Sequence, residues 1–213
     1  MILTDICPEG RKKDFFQIYI DGEAAFFLYK SEIKKYKLTV GCEISEKTLE
    51  QIHSHLHTKA KNKALQYLLI RPRSRFELEE RLRILGYGED VCQPIIAQLS
   101  DNGYINDERF AEMFASDAVS LKKWGPQRIR RELLLKKIDK EIIDWILEQQ
   151  EDGGNLFLLL QKKLKPLGDL STLDNMQRRK EIQKVKAFLF RKGYNLSAID
   201  EAIANLPFTD EES

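Results

Sequence analysis

Ser74-Arg75-Phe76-Glu77-Leu78-Glu79-Glu80-Arg81-Leu82-Arg83-Ile84-Leu85-Gly86-Tyr87, running on to Val91, Ile95 and Ile96, sets out one helix, its stop and the helix after it. Ser74 followed three residues later by Glu77 has capping-box form, in which a hydroxyl and a carboxylate satisfy amides left unpaired at a helix start. The helix carries Leu78, Leu82 and Leu85 on one face. It stops at Gly86, which supplies the left-handed C′ residue, and the apolar residue that follows packs back on the helix. The next helix turns Val91, Ile95, Ile96 and Leu99 inward and ends near Asn102-Gly103.

The same grammar recurs. Leu78, Leu82, Val91, Ile95 and Ile96 reappear 51 residues later as Ile129, Leu133, Ile142, Ile146 and Leu147, and 56 residues beyond as Val185, Leu189, Ala198, Ala202 and Ile203. The stop recurs too: Gly86-Tyr87, then Lys137-Ile138, then Gly193-Tyr194. Lys137 takes the glycine position at some cost in backbone strain. Upstream, Ser45 caps a long helix carrying Leu49, Ile52, Leu56, Ala60, Ala64 and Leu68, which Pro72 ends. Each copy reads as helix, helix, shorter helix. The expected fold is mostly α, with tandem three-helix repeats stacked as a solenoid.

The first 45 residues differ. Phe15 to Ile20 and Ala24 to Tyr29 are apolar, aromatic-rich runs flanking Asp21-Gly22, a strong hairpin signal. A further extended piece is expected at Lys37 to Val40, stopped by Gly41. An isolated hairpin is marginal, so it should pack on the helical body or gain a strand. The expected organisation is a β-hairpin region over 1–45, repeats over 46–105, 106–152 and 153–207, and an acidic tail over 208–213.

Composition agrees with a helical body: 11 Gly and 6 Pro in 213 residues fall below the roughly 12% of average usage. No run approaches the roughly 18 apolar residues of a membrane span, and residues 1 to 30 lack a signal-peptide pattern. Cys7, Cys42 and Cys92 are odd in number and widely separated, so no disulfide framework follows. The expected location is the cytoplasm, with no membrane partner.

The 35 basic and 34 acidic residues nearly cancel, but they are segregated. Residues 59–86 hold eight basic groups against three acids, residues 120–140 eight against two, and residues 162–192 ten against three. Residues 87–117 carry seven acids and only Arg109, and residues 200–213 five acids and no base. Each module is therefore expected to have a basic middle helix and an acidic third helix. Stacked modules could align the middle helices as one basic stripe for a polyanion or an acidic protein groove. Solvated helix faces also carry Lys and Arg, and recurrence in three modules favours the stripe.

No phosphate-binding glycine loop, dinucleotide fingerprint, nucleophile elbow or His-Glu-x-x-His occurs. His53, His55 and His57 are the only histidines. On a helix His53 and His57 share a face and could hold a metal, but no Cys or well-placed carboxylate completes a tetrahedron, so a solvated face is the preferred reading. Asp107 and Glu108 sit at a helix start, where the dipole explains them. Trp124 and Trp145 are expected as core or inter-module anchors rather than base-stacking platforms. No catalysis and no cofactor are expected.

Three segments resemble the bacterial RecX family. Arg71-Pro-Arg-Ser-Arg-Phe-Glu-Leu78, with Leu82 and Gly86, is similar to its R-x-R-S-x-x-E-L-x-x-x-L-x-x-K-G segment. Gly103-Tyr-Ile-Asn-Asp-Glu-Arg-Phe-Ala111 is similar to G-Y-I-D-D-x-x-F-A, and Trp124-Gly-Pro-Gln-Arg-Ile129 through Lys137-Ile138 to x-G-x-x-x-I-x-x-E-L-x-x-K-G-I. Departures are Asn106 for an aspartate, Leu85 for a lysine and Lys137 for a glycine. The resemblance implies tandem three-helix repeats in an elongated, curved molecule. It also implies a monomeric regulator of the RecA recombinase, in recombination, DNA repair and the SOS response. Such a protein docks in the groove of the RecA–single-stranded DNA filament and suppresses ATP hydrolysis and strand exchange, its own contact with single-stranded DNA being weak, direct or through RecA. Arg73, Arg75, Arg81, Lys123, Arg128 and Arg131 are the residues expected to make contact. The alternatives are a direct helix-turn-helix-like nucleic-acid binder, a helical scaffold for another protein, and a metal enzyme using His53 and His57.

Overall fold

The structure, a computed structural model, describes residues 1–10, 12–150, 154–167 and 174–206; the acidic tail expected over 208–213 lies outside the described residues. The chain divides into two compact units, Met1–Asn106 and Asp107–Ser213.

Unit 1 begins with an antiparallel sheet in the order β1 (Leu3–Pro8), β2 (Phe15–Ile20), β3 (Glu23–Tyr29). Asp21 and Gly22 both take positive φ, 49° and 86°, as the tight turn between twisted strands demands. The third strand is therefore β1, not Lys37–Val40. That segment is a turn, with Lys37 at φ 52° and Leu38 buried; just after it come an isolated bridge between Ile2 and Glu43 and backbone hydrogen bonds of Gly41 and Cys42 with Leu3. A short helix, α1 (Lys30–Lys35), follows the sheet. Then come α2 (Glu46–Ile70), α3 (Arg75–Ile84) and α4 (Glu89–Asp101). Leu3, Ile18, Phe26 and Leu28 of the sheet share one core with Ile52, Leu56, Leu78, Leu82, Ile95 and Ile96 of these helices. The sheet thus gains both a strand and a helical partner.

With α2–α4 as module 1, unit 2 holds modules 2 and 3 in chain order. The first is α5 (Asp107–Ser120), α6 (Pro126–Leu135) and α7 (Lys140–Gln149). The second is α8 (Asn155–Leu164), a short 3-10 turn (Lys165–Leu167), α9 (Asn175–Lys192) and α10 (Leu196–Ala204). Each has its own core, around Ile129 and Leu133 in one and Leu160 and Leu189 in the other. The third helix is not always the shorter: α4 has 13 residues against 10 in α3.

The stops after the middle helices are alike in all three modules. Gly86, Lys137 and Gly193 take φ of 95°, 58° and 97°. The next amide, of Tyr87, Ile138 and Tyr194, donates to the carbonyl of Leu82, Leu133 and Leu189 at 3.2, 3.2 and 3.3 Å, the hydrogen bond of a Schellman stop. What differs is the neighbour. A Cβ on Gly86 would lie 2.7 Å from the Phe15 ring of the sheet, and one on Gly193 2.5 Å from the backbone nitrogen of Arg128. Lys137 is exposed, so only the φ penalty applies there. Gly193 and Lys192 offer their carbonyls to the start of α6, where the amides of Gln127 and Gly125 donate at 3.0 and 2.8 Å. The negative end of α9 therefore meets the positive end of α6, and Gly125 leaves the room this needs, since its Cβ would fall 2.5 Å from the Gly193 carbonyl carbon.

Candidate nucleic-acid interface

The sequence-predicted cations of unit 1 are held locally. Arg73 precedes α3; its Nε donates to the Tyr67 carbonyl at 3.3 Å and its guanidinium lies 5.2 Å from the Tyr67 ring. Burial there, and the neighbouring Arg71 and Arg81, lower its pKa from the ordinary guanidinium value. Arg81 lies 5.6 Å from the same ring, so Tyr67 gathers two of the three candidates. Arg75, at the first turn of α3, donates to Ser100 Oγ at 3.0 Å. Arg71 pairs with Glu77 at 2.9 Å, and Arg83 with Glu79 and Glu80. Within its own bounds α3 carries three arginines and three glutamates. The expected basic middle helix is thus corrected for module 1, whose surplus lies on α2 and the α2–α3 connection.

Unit 2 fits the expectation better. Helix α6 carries Arg128, Arg130 and Arg131 against Glu132, and α9 seven basic residues against Glu181. Spaced by 56, five cations of one module match five of the other: Lys122 and Arg178, Lys123 and Arg179, Arg128 and Lys184, Arg130 and Lys186, Lys136 and Lys192. One matched position is structural. Arg130 pairs with Asp144 on α7, and Lys186 pairs with Asp200 on α10 at 2.6 Å; in module 1 the same positions hold Glu79 and Gln93, bonded at 3.2 Å. Each middle helix is thereby pinned to its third helix by one polar pair.

Trp124 is half-buried, with the Arg128 guanidinium 4.1 Å and Lys122 Nζ 4.3 Å from its ring. Phe110, Phe114 and Trp124 form a row with centroids 6.1 and 6.3 Å apart, and Lys136 lies 5.6 Å from Phe114. Arg128 also reaches the Arg191 carbonyl at 3.4 Å. It therefore helps to join the two modules as well as presenting charge. Lys123, at φ 53°, and the exposed Arg131 have no ion-pair partner among the described residues. Trp124 packs on its module's core as expected. Trp145 does not: it is 44% exposed.

The histidines form no cluster. His53 lies 3.5 Å from Asp90 and edge-on to Phe26, while His55 contacts Glu32 at 2.8 Å. Glu32 is buried, and burial alone would raise its pKa. Hydrogen bonds from Lys59, the Tyr29 amide and His55 more than offset this and hold it below the ordinary carboxylate value. Among the described residues no group of three or more His, Cys, Asp or Glu is placed to hold a metal. No helix among them is long and apolar enough to cross a membrane.

Family models described as the first and second three-helix domains of RecX match residues 60–99 and 106–147. A curated relative in Listeria monocytogenes serotype 4b, named regulatory protein RecX, is 29% identical across 99% of this chain and 79% of its own length. One of the same name in Bacillus cytotoxicus is 29% identical across 100% and 79%. Nearly the whole chain is similar to RecX proteins. A crystal structure of RecX from Lactobacillus salivarius superposes with TM-score 0.62 at 29% identity, over 72% of this chain and 97% of that one. Another crystal structure of regulatory protein RecX matches in fold with TM-score 0.63 at 23% identity, over 96% and 99%. The two RecX domains matched are modules 1 and 2, where the polar cross-pair and the Schellman stop are shared.

Proposed function

We propose that this RecX-like protein is a non-catalytic regulator that docks on the RecA–single-stranded DNA filament and lowers its ATP hydrolysis and strand exchange. The observation that supports this best is the repetition of cations at a fixed spacing in the two modules of unit 2. A nucleoprotein filament presents phosphate and acidic protein surface at regular intervals, and a repeated cationic face gains from each contact through a high effective concentration. A rigid body that binds one filament state better than another shifts the equilibrium by that difference in affinity. Lys123, Arg128 and Arg131 would supply the main contacts; Arg73 and Arg81, around Tyr67, and Arg75, on Ser100, would add secondary ones. The protein acts as a monomer, in the cytoplasm, without a cofactor. Adding it at substoichiometric amounts to RecA on single-stranded DNA should lower ATP turnover. Strict one-to-one titration, or no effect, counts against this reading.

The aromatic row with its cations favours one second reading, direct binding of single-stranded nucleic acid by stacking and phosphate contact. That reading requires tight binding to naked DNA with a steep salt dependence.

A further inference from the structure

Module 2 carries a second surface of opposite character. Between α5 and α7 runs an open groove of about 470 Å³, lined by Glu112, Met113, Asp117, Trp145, Ile146 and Gln149 among others. Met113 is 47% and Trp145 44% exposed. Packing of the module does not call for apolar side chains here. At the equivalent positions module 1 has Asn62 and Pro94, and module 3 has Glu201 in place of Trp145, all exposed. Two large apolar groups side by side on a surface, where sister modules carry polar or small residues, mark an interaction site.

The charge around them selects the partner. The lining contains Glu112 and Asp117 and no basic side chain among the described residues. Helices α5 and α7 together carry seven acids against Arg109 and Lys140. A phosphate backbone is repelled by such a rim, and so is an acidic membrane. We propose that this groove docks a basic segment of a partner protein, anchored by an aliphatic or aromatic side chain. The anchor sits on Trp145 and Met113. Lysines or arginines beside it meet Glu112 and Asp117, and an arginine can also lie flat on the indole. The groove is separate from the cationic face of α6 and does not depend on the filament reading.

The test is selection of random dodecapeptides displayed on phage against the full chain, with Trp145→Ala protein as the counter-target. Enriched peptides should be rich in Lys and Arg with one or two Leu, Met or Phe. By fluorescence anisotropy, a labelled synthetic copy of the strongest should bind about tenfold or more weakly to Trp145→Ala and to Asp117→Lys, and nearly normally to Trp145→Phe. In a ¹H–¹⁵N spectrum the indole peak of Trp145 should shift on binding while that of Trp124 stays. Failure to enrich any peptide over the counter-target, acidic or neutral peptides, or affinity unchanged in Asp117→Lys would each overturn the proposal. An oligonucleotide that moved the Trp145 peak would do the same.

Discussion

Units 1 and 2 use one module design with different neighbours, and their cations differ accordingly. In unit 1 Arg71 and Arg83 are tied to Glu77, Glu79 and Glu80, Lys59 to Glu32, and Arg73 to Tyr67. In unit 2 Lys123, Arg131 and Arg179 have no ion-pair partner among the described residues. The helix stops differ in the same way. Gly86 lies beneath an aromatic ring of the sheet, whereas Gly193 lies against the backbone of α6. The residue at each stop is therefore set by what packs on it, and the candidate cations of the two units differ in what holds them.

The sharpest break should come at the stops. Gly193→Ala pushes a methyl into the Arg128 backbone, which cannot swing aside, and combines overpacking with a left-handed φ; it should destabilise unit 2 by about 3 kcal/mol or more. Gly86→Ala meets the ring edges of Phe15 and Phe27, side chains rather than backbone, and should cost about 2 kcal/mol. Denaturant unfolding of each variant gives the order, and equal losses would deny that the neighbour matters. Next comes charge. Reversing Lys123, Arg131 and Arg179 to Glu together should weaken filament binding about 100-fold, roughly 2.7 kcal/mol, with little change in stability. Arg75→Glu with Arg81→Glu should cost less than about tenfold. If the unit 1 pair costs more, the two roles are exchanged.

Smaller effects follow. Lys137→Gly removes a left-handed non-glycine residue with nothing packed on it and should stabilise unit 2 by about 1 kcal/mol, measured in the same unfolding experiment. Glu32 gives a pH signature confined to unit 1. Its folded pKa lies below the unfolded value, so its contribution is present above about pH 4.3, the unfolded carboxylate value, and is lost as pH falls through the depressed folded pKa. Glu32→Gln should remove that part of the acid dependence of stability, and an unchanged acid limb would show that the network with Lys59 and His55 contributes nothing.

Much of this was legible in the residues. The module repeat, the three stops, the Asp21-Gly22 turn and the Ser74 cap are local signals whose cause lies within a few residues, and all appear in the structure. Strand β1 was missed because Leu3-Thr-Asp-Ile-Cys-Pro8 pairs through a bulge and lacks clean alternation. One core position escaped as well. Cys92, Ile143 and Ile199 are equivalent and buried, but a cysteine was not read as core; burial pushes its thiol up to about 11. Gly125 and Trp145 depend on neighbours distant in sequence. The candidate cations were visible as types, but not which of them their own acids and aromatic rings hold.

The central claim is that the repeated cations of unit 2 recognise a filament rather than bare DNA. It is tested most directly by comparing binding of the full chain to RecA-coated and naked single-stranded DNA across a salt series, with the Lys123/Arg131/Arg179 reversal beside it. The account predicts tight binding to the filament, weak and steeply salt-dependent binding to naked DNA, and loss of filament binding in the reversal variant. Equal affinity for both targets, or a reversal variant that still binds the filament normally, would contradict it.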